Sequence, residues 1–233
     1  MKTAAGPRHE GPLVRAEGIT KVFGHGTGAV TVLQGASLAI RPQSLVAIKG
    51  RSGSGKTTLL NILGALDRPT EGAVYYGDAE IGGLSEHKRN KLRRSKIGLI
   101  FQSFALVPMM SAYENVEFAL RIAGIPAASH RSYAVEALEL VGLKDRMRHR
   151  PFEMSGGEQQ RVAIARAIAH KPSLILSDEP TAELDSRMGL QVMRVFTDLV
   201  KHEGMTIIMT THDAAIMEIV DHVYALEDGR IVD

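Results

Sequence analysis

The eight residues Gly50–Thr57, GRSGSGKT, restrict this chain more than any other stretch. They match the pattern G-x-x-x-x-G-K-[ST] and stand between the apolar run LVAIKG and the helix-like TLLNILGAL, where the pattern requires a strand before and a helix after. Gly53 and Gly55 allow a tight turn and close backbone approach, so that several N–H groups and the positive end of the next helix converge on an anion. Lys56 is then placed to reach terminal phosphates and Thr57 to hold Mg²⁺. A glycine turn that only links strand to helix would account for the glycines, but not for the Lys-Thr pair at its fixed distance.

A strand feeding a helix in this way belongs to a βαβ unit. Further apolar runs, IGLIF, SLILS and TIIMT, are separated by helical stretches, and the alternation predicts a parallel sheet. From Leu13 to Pro42, LVRAEGITKVF and AVTVLQGASLAI are broken by Gly-containing turns such as GHGTG, which predicts an antiparallel sheet at the edge of the domain. Between Ser103 and Arg166 the segments SAYENVEFALRIAG, RSYAVEALELVG and GEQQRVAIARAIA all read as helices, so a helical lobe inserted at about 103–166 is expected. Residues 1–12 read as a flexible lead-in, leaving 13–233 as one α/β domain. A chain of 233 residues that is 44% hydrophobic can bury the core this needs.

Two carboxylates follow the run LILS as Asp178-Glu179-Pro180. Ligands of open α/β sheets bind at the carboxyl ends of the strands, which is where this pair falls. Asp178 suits Mg²⁺, a hard cation that takes oxygen ligands, while Glu179 could polarise or deprotonate an attacking water. Alone, DEP would be ordinary turn chemistry; the phosphate loop in the same chain favours catalysis. The strand TIIMT ends likewise in Thr211-His212-Asp213, which puts an imidazole at the same edge, within reach of a γ-phosphate.

Ser155-Gly156-Gly157-Glu158 has the form of a capping box, and Val162, Ala165, Ile168 and Ala169 follow on one helical face. A cap needs no glycines, and glycine is a poor helix former; the pair leaves backbone N–H groups uncovered at a positive helix end. Two anion-binding helix starts against one Lys-Thr pair and one carboxylate pair fit two chains sharing each nucleotide.

With GRSGSGKTT, MSGGEQQR and LILSDEP in this order, the sequence resembles the ABC transporter ATPases from Leu13 to Asp233, and MSGGEQQR is that family's signature. The resemblance implies an α/β P-loop NTPase of the RecA-like kind: a mostly parallel sheet core, an antiparallel β subdomain and an inserted α-helical subdomain. It implies ATP hydrolysis with Mg²⁺ by a head-to-tail dimer. Gly50, Arg51, Ser52, Gly53, Ser54, Gly55, Lys56, Thr57 and Thr58 of one copy would face Ser155, Gly156, Gly157 and Glu158 of the second copy across the γ-phosphate. Phe23, in ITKVFG, matches the adenine-stacking aromatic, with a sheet-core phenylalanine as the alternative. Gln102, in IFQ, matches the glutamine that senses Mg²⁺ and the γ-phosphate and leads into the segment contacting a membrane partner. Asp185, in TAELD, matches the loop crossing the dimer interface, and His212 the switch histidine.

The sequence departs from the family pattern at RPQS before the loop strand, at Met154 before SGG and at Ala182-Glu183, and none of these removes a catalytic group. Within the family, TLLNILGALDRPTEG, IFQSFALVP and TTHD look most like ATPases of lipoprotein-release, macrolide-export and peptide-resistance systems. The partner there is a permease with few membrane helices and an extracytoplasmic domain. The last expected strand lies just before GRIVD, so specificity is expected to lie in that partner.

Composition narrows the remaining classes. Without cysteine there is no disulfide framework, thiolate metal site or cysteine nucleophile. A balance of 28 basic against 26 acidic residues gives no electrostatic footprint for nucleic acid, and none is expected as a partner. The cluster Lys88, Arg89, Lys91, Arg93, Arg94 and Lys96 could face anionic lipid, but reads as a solvated helix face. No run approaches the roughly 18 apolar residues that span a bilayer, so a soluble, unexported chain is expected, and the resemblance implies a cytoplasmic position, peripheral on the inner face of the membrane through the partner. A soluble ABC ATPase acting on DNA, ribosomes or cofactor assembly is the competing class, but those carry long coiled coils or tandem ATPase domains. A P-loop small-molecule kinase would have no need of SGGEQ.

Overall fold

The apolar run at 45–49 is buried through its first four residues, as a strand covered by other layers on both faces must be. Residues 11–232 are described in the computed structural model; residues 1–10 of the expected lead-in lie outside the described residues. In chain order the elements are β1 (Val14–Phe23), β2 (Val30–Ile40), β3 (Leu45–Lys49), α1 (Lys56–Leu63), β4 (Glu71–Tyr76), β5 (Ala79–Glu80), α2 (Glu86–Lys96), β6 (Ile97–Ile100), α3 (Ala112–Ala123), α4 (Ala127–Leu140), α5 (Gly156–Ile168), β7 (Leu174–Ser177), α6 (Ser186–Glu203), β8 (Thr206–Thr211), α7 (Ala214–Met217), β9 (His222–Glu227) and β10 (Arg230–Val232).

Two sheets result, one ordered β10-β9-β3-β8-β7-β6 and the other β2-β1-β4-β5. In the first, β9, β3, β8, β7 and β6 run parallel and only β10 is antiparallel, so the four apolar runs of the sequence are adjacent parallel strands. The second sheet is antiparallel throughout. Its β4 and β5 come from residues 71–80, where Gly72, Gly77 and Asp78 interrupt the alternation and the sequence pattern alone marks no strand.

The pleat of the parallel sheet sorts its residues into two cores. Leu45, Ala47, Ile175, Ile207 and Met209 face a layer built from α3, α4, α5 and α6, in which Phe196 is wholly buried. Burying a side chain of that size contributes about 1.5–3 kcal/mol. Val46, Ile48, Leu174, Leu176 and Ile208 face α1 and the inner residues of the antiparallel sheet, among them Ile19, Leu33 and Val74. The fold is therefore α/β, with the parallel sheet between a helical layer and an antiparallel sheet.

Helix α5 buries the expected face, Val162, Ala165, Ile168 and Ala169, and more besides. Ala163, Ile164 and Ala167 are buried along with Val162, Ala165 and Ile168, because α5 lies between α3 and α4 on one side and β6 and α6 on the other. The basic helix α2 differs from its reading as a solvated face. Lys88, Lys91, Arg94 and Lys96 are exposed, but Arg89 is buried against Glu86, and Arg93 donates to the Ala65 carbonyl and to Glu86. Arg93 thus fastens α2 to the chain beyond α1, while Arg89 is buried in a pair within α2 itself.

Candidate nucleotide site

Strand order assembles the site. The loop at 50–57 follows β3, His212 follows β8, Asp178 and Glu179 follow β7, and Gln102 comes two residues after β6. Since β3, β8, β7 and β6 are consecutive neighbours and all parallel, four segments distant in sequence meet at one sheet edge.

In the loop, Gly53 has φ 80° and Gly55 φ 102°, conformations open to glycine but strained for other residues. A Cβ on Gly50 would run into the Leu226 carbonyl oxygen and the Ser54 hydroxyl. One on Gly55 would meet Leu33 and Val32 of β2, which hold the loop from the antiparallel sheet. Lys56 is only 7% exposed, and its ammonium donates to the Gly50 carbonyl at 2.9 Å and the Arg51 carbonyl at 3.1 Å. It also lies 3.9 Å from Glu179 Oε1. The Ser54 hydroxyl is buried without a hydrogen-bond partner, a polar atom inside the cradle that a ligand oxygen would satisfy. Beside the loop is a cleft of about 640 Å³, lined by Gly50, Arg51, Ser52, Gly53, Ser54 and His212 among others.

The carboxylates are joined to this loop through two hydroxyls. Thr57 Oγ1 donates to Asp178 Oδ2 at 2.8 Å, and Thr210 Oγ1 donates to Asp178 Oδ1 at 2.6 Å. Thr210 Oγ1 in turn accepts from the Glu179 backbone N–H at 2.9 Å. Glu179 itself sits at φ 45°, a conformation that costs a non-glycine residue of order 1–3 kcal/mol and persists only where neighbours over-determine it. Its other oxygen, Oε2, lies 3.5 Å from His212 Nδ1. Thr210 is the residue the sequence reading misses, since a threonine inside TIIMTT reads as an ordinary β-branched strand residue.

The family model described as ABC transporter matches residues 33–182 of the chain. The chain belongs to the ABC transporter family. Among its relatives, the lipoprotein-releasing system ATP-binding protein LolD 1 of Rhodospirillum rubrum is 42% identical over 219 residues, covering 94% of this chain and 97% of that protein. The macrolide export ATP-binding/permease protein MacB of Marinobacter nauticus is 43% identical over 222 residues, 95% of this chain. The chain spans only 34% of MacB. A solved dimeric structure of the ATP-binding cassette MJ0796, in a post-hydrolysis state bound to ADP and Pi, superposes with a TM-score of 0.85 at 38% identity, covering 94% of this chain and 97% of that one. The fold is accordingly that of an ABC ATPase cassette, and the chain is an ABC transporter ATPase.

The second helix start of this cassette has the expected box: Glu158 N–H donates to Ser155 Oγ at 3.3 Å, and Ser155 N–H to Glu158 Oε2 at 2.9 Å. The Ser155 backbone hydrogen bond holds Glu158 below the usual carboxylate range, with Arg146 and Arg161 helping against partial burial. Helix α3 opens with the same box at Ser111 and Glu114 but has Ala-Tyr where α5 has Gly-Gly, so the cap does not require the glycines. Gly157 has a packing reason the sequence does not reveal: it is buried, and a Cβ there would press on Met188 of α6. Ser155 is exposed and Gly156 half-buried, with no backbone contact over it.

Asp185 caps α6 through the Met188 N–H at 2.9 Å, a local task independent of any second copy. Gln102 is exposed at the edge beside Asp178, whose N–H donates to the Ile100 carbonyl. Phe23 is 45% exposed, which removes the sheet-core alternative. Thr58 lies on the first turn of α1, exposed on neither side fully.

Proposed function

We propose that this chain hydrolyses MgATP as one half of a head-to-tail dimer and drives a separate membrane permease, in a system of lipoprotein-release or macrolide-export type. The observation that carries the reading is the Thr57–Asp178–Thr210–Glu179 chain of hydrogen bonds beside a glycine cradle with an unpartnered buried hydroxyl. No cluster of three or more His, Cys, Asp or Glu that could hold a metal exists among the described residues. That suits Mg²⁺, which is held through one or two protein oxygens together with substrate phosphates and water.

Thr57 and Asp178 would hold the ion, which when bound neutralises charge on the β- and γ-phosphates. Lys56 leaves its loop carbonyls for phosphate oxygens, and the loop N–H groups and Ser54 take the rest. Glu179 orients the attacking water and accepts its proton, with Lys56 and His212 on either side fixing the carboxylate. Gln102 stands by the ion and the γ-phosphate from the β6 side. Ser155 and Gly156 serve the γ-phosphate of the partner copy, because their own chain's carboxylate pair and Lys-Thr pair belong to the other helix start. The resemblance of LolD and MacB across this chain supports the branch, and no helix among the described residues is long and apolar enough to cross a membrane.

Thr210 supplies a prediction. Thr210→Val keeps the β-branched shape but removes the hydroxyl that holds both Asp178 and Glu179. Losing a group that orients a metal ligand in this way costs about 10–100-fold in activity or metal affinity. The expected result is a fall of that order in ATPase rate with a higher Mg²⁺ requirement, measured by phosphate release across a Mg²⁺ titration, and a melting temperature a few degrees lower, because a buried hydroxyl with two partners is lost.

The partner is tested by affinity purification of the tagged chain from detergent-solubilised membranes of its own cell, with mass spectrometry of what co-purifies. A permease with few membrane helices is expected. Recovery of only ribosomes, nucleic acid or soluble proteins would instead place the chain among soluble ABC ATPases.

A further inference from the structure

The ring of Phe23 does not stand alone. The ammonium of Lys21 lies 4.9 Å from its centroid, and that ammonium is fixed by two hydrogen bonds, to Asp67 Oδ1 and to the Arg68 carbonyl, both 2.8 Å. Lys21 and Phe23 are two apart on β1, so they project from the same face of the strand. The side chain of Lys21 is 12% exposed, whereas Phe23 is 45% exposed. The cation is therefore built into the fold and the ring is presented by it.

The anchor reaches the phosphate loop by two routes. Asp67 N–H donates to the Asn61 carbonyl, and Asn61 belongs to α1, the helix that the loop opens. Phe23 pairs with Val30 on β2, and two residues on, Val32 lies against Gly55. The β1–β2 register shifts beyond this pair, leaving Val32 without a partner on β1, so the residue of β2 that touches the loop is the irregular one beside the strand end that carries the ring. Burial alone would raise the Asp67 carboxyl, but the Lys21 and Arg68 hydrogen bonds outweigh it and hold Asp67 below its ordinary value, so the carboxylate that fixes Lys21 stays ionised.

We propose that Lys21 is a positioning residue for the nucleobase: held by Asp67 and Arg68, it seats one face of Phe23 and leaves the other as a stacking platform for the purine of ATP. The inference rests on the reading of Phe23 as the base-stacking aromatic. A cation on one face draws electron density from the ring, which favours stacking of an electron-rich base on the opposite face. A merely structural ion pair would tie β1 to α1 and have no bearing on the base.

The test separates base from phosphate. The Michaelis constant for MgATP and the inhibition constant of inorganic tripolyphosphate, which has no base, are measured for the full chain, for Lys21→Met, Lys21→Arg and Asp67→Asn, and for Phe23→Ala. Lys21→Met is expected to raise the ATP constant about two- to fivefold, the scale of an exposed cation–π contact, with tripolyphosphate and kcat unchanged. Lys21→Arg should restore the parent value, and Asp67→Asn should give an intermediate one. With Phe23→Ala also present, Lys21→Met should have no further effect. Equal shifts for ATP and tripolyphosphate, or no shift for either, would overturn the role of Lys21. If Lys21→Met does not fold, Asp67→Asn against tripolyphosphate decides by the same criterion. A Phe23→Ala variant with an unchanged ATP constant refutes the stacking reading itself, a result distinct from failure at Lys21 alone.

Discussion

Glu179→Gln is expected to bind ATP as the parent does while hydrolysing it about 10²–10⁴-fold more slowly, the range lost when a positioned general base is removed. The amide is nearly isosteric, so the backbone at φ 45° and its hydrogen bond to Thr210 are retained. What changes is the ability to take a proton from water, and the charge facing Lys56 at 3.9 Å. With hydrolysis blocked, ATP stays at the interface and the dimer accumulates. Light scattering after size exclusion should show the mass double with MgATP in the variant and remain monomeric in the parent once ATP is consumed. A variant that hydrolyses ATP at the parent rate would remove Glu179 from the chemistry. A melting temperature close to the parent's would show that the loss is not one of folding.

The placement of the candidate site was legible in the sequence wherever one motif carried its residues contiguously. Gly50–Thr57, Asp178-Glu179 and Ser155-Gly156 each declare a local backbone geometry, and apolar runs before them declare the strands. Illegible were contacts between segments. Thr210 reaches Asp178 from 32 positions away, and Lys21 reaches Asp67 from 46, and neither pairing leaves a trace in local pattern. Exposure was also hidden: Phe23 reads the same in a core or on a surface, and only the fold places it at the end of a strand with its ring open. For α5 the face read from the sequence is buried, but the burial extends to Ala163, Ile164 and Ala167, because contacts on a second side of a helix leave no mark in the period of its apolar residues. Gly157 shows that one residue can carry two demands, since a glycine read from the sequence as an anion contact also makes room for Met188.

Ser155 gives the larger test, since it asks whether the site is complete in one chain. Ser155→Arg puts a bulky cation where the partner's γ-phosphate would lie, and ATPase turnover should fall below about 1% of the parent, while nucleotide binding to the isolated chain, which uses the loop and not Ser155, is unchanged. Lys56→Ala should also be inactive, because it removes the ammonium that meets the terminal phosphates and weakens binding itself. The two variants fail at opposite faces of the interface. In a mixed dimer, the intact loop of the Ser155→Arg chain meets the intact Ser155 of the Lys56→Ala chain, and one of the two sites is whole. Random mixing makes half the dimers mixed, so combining two inactive proteins should restore roughly a quarter of parent activity, as an isologous two-fold dimer with two composite sites dictates. Activity that stays at zero over a range of mixing ratios and protein concentrations, with mixed dimers verified by differential tags, would mean that no working site forms across the interface. Turnover retained by Ser155→Arg alone would mean that each chain holds its own whole site.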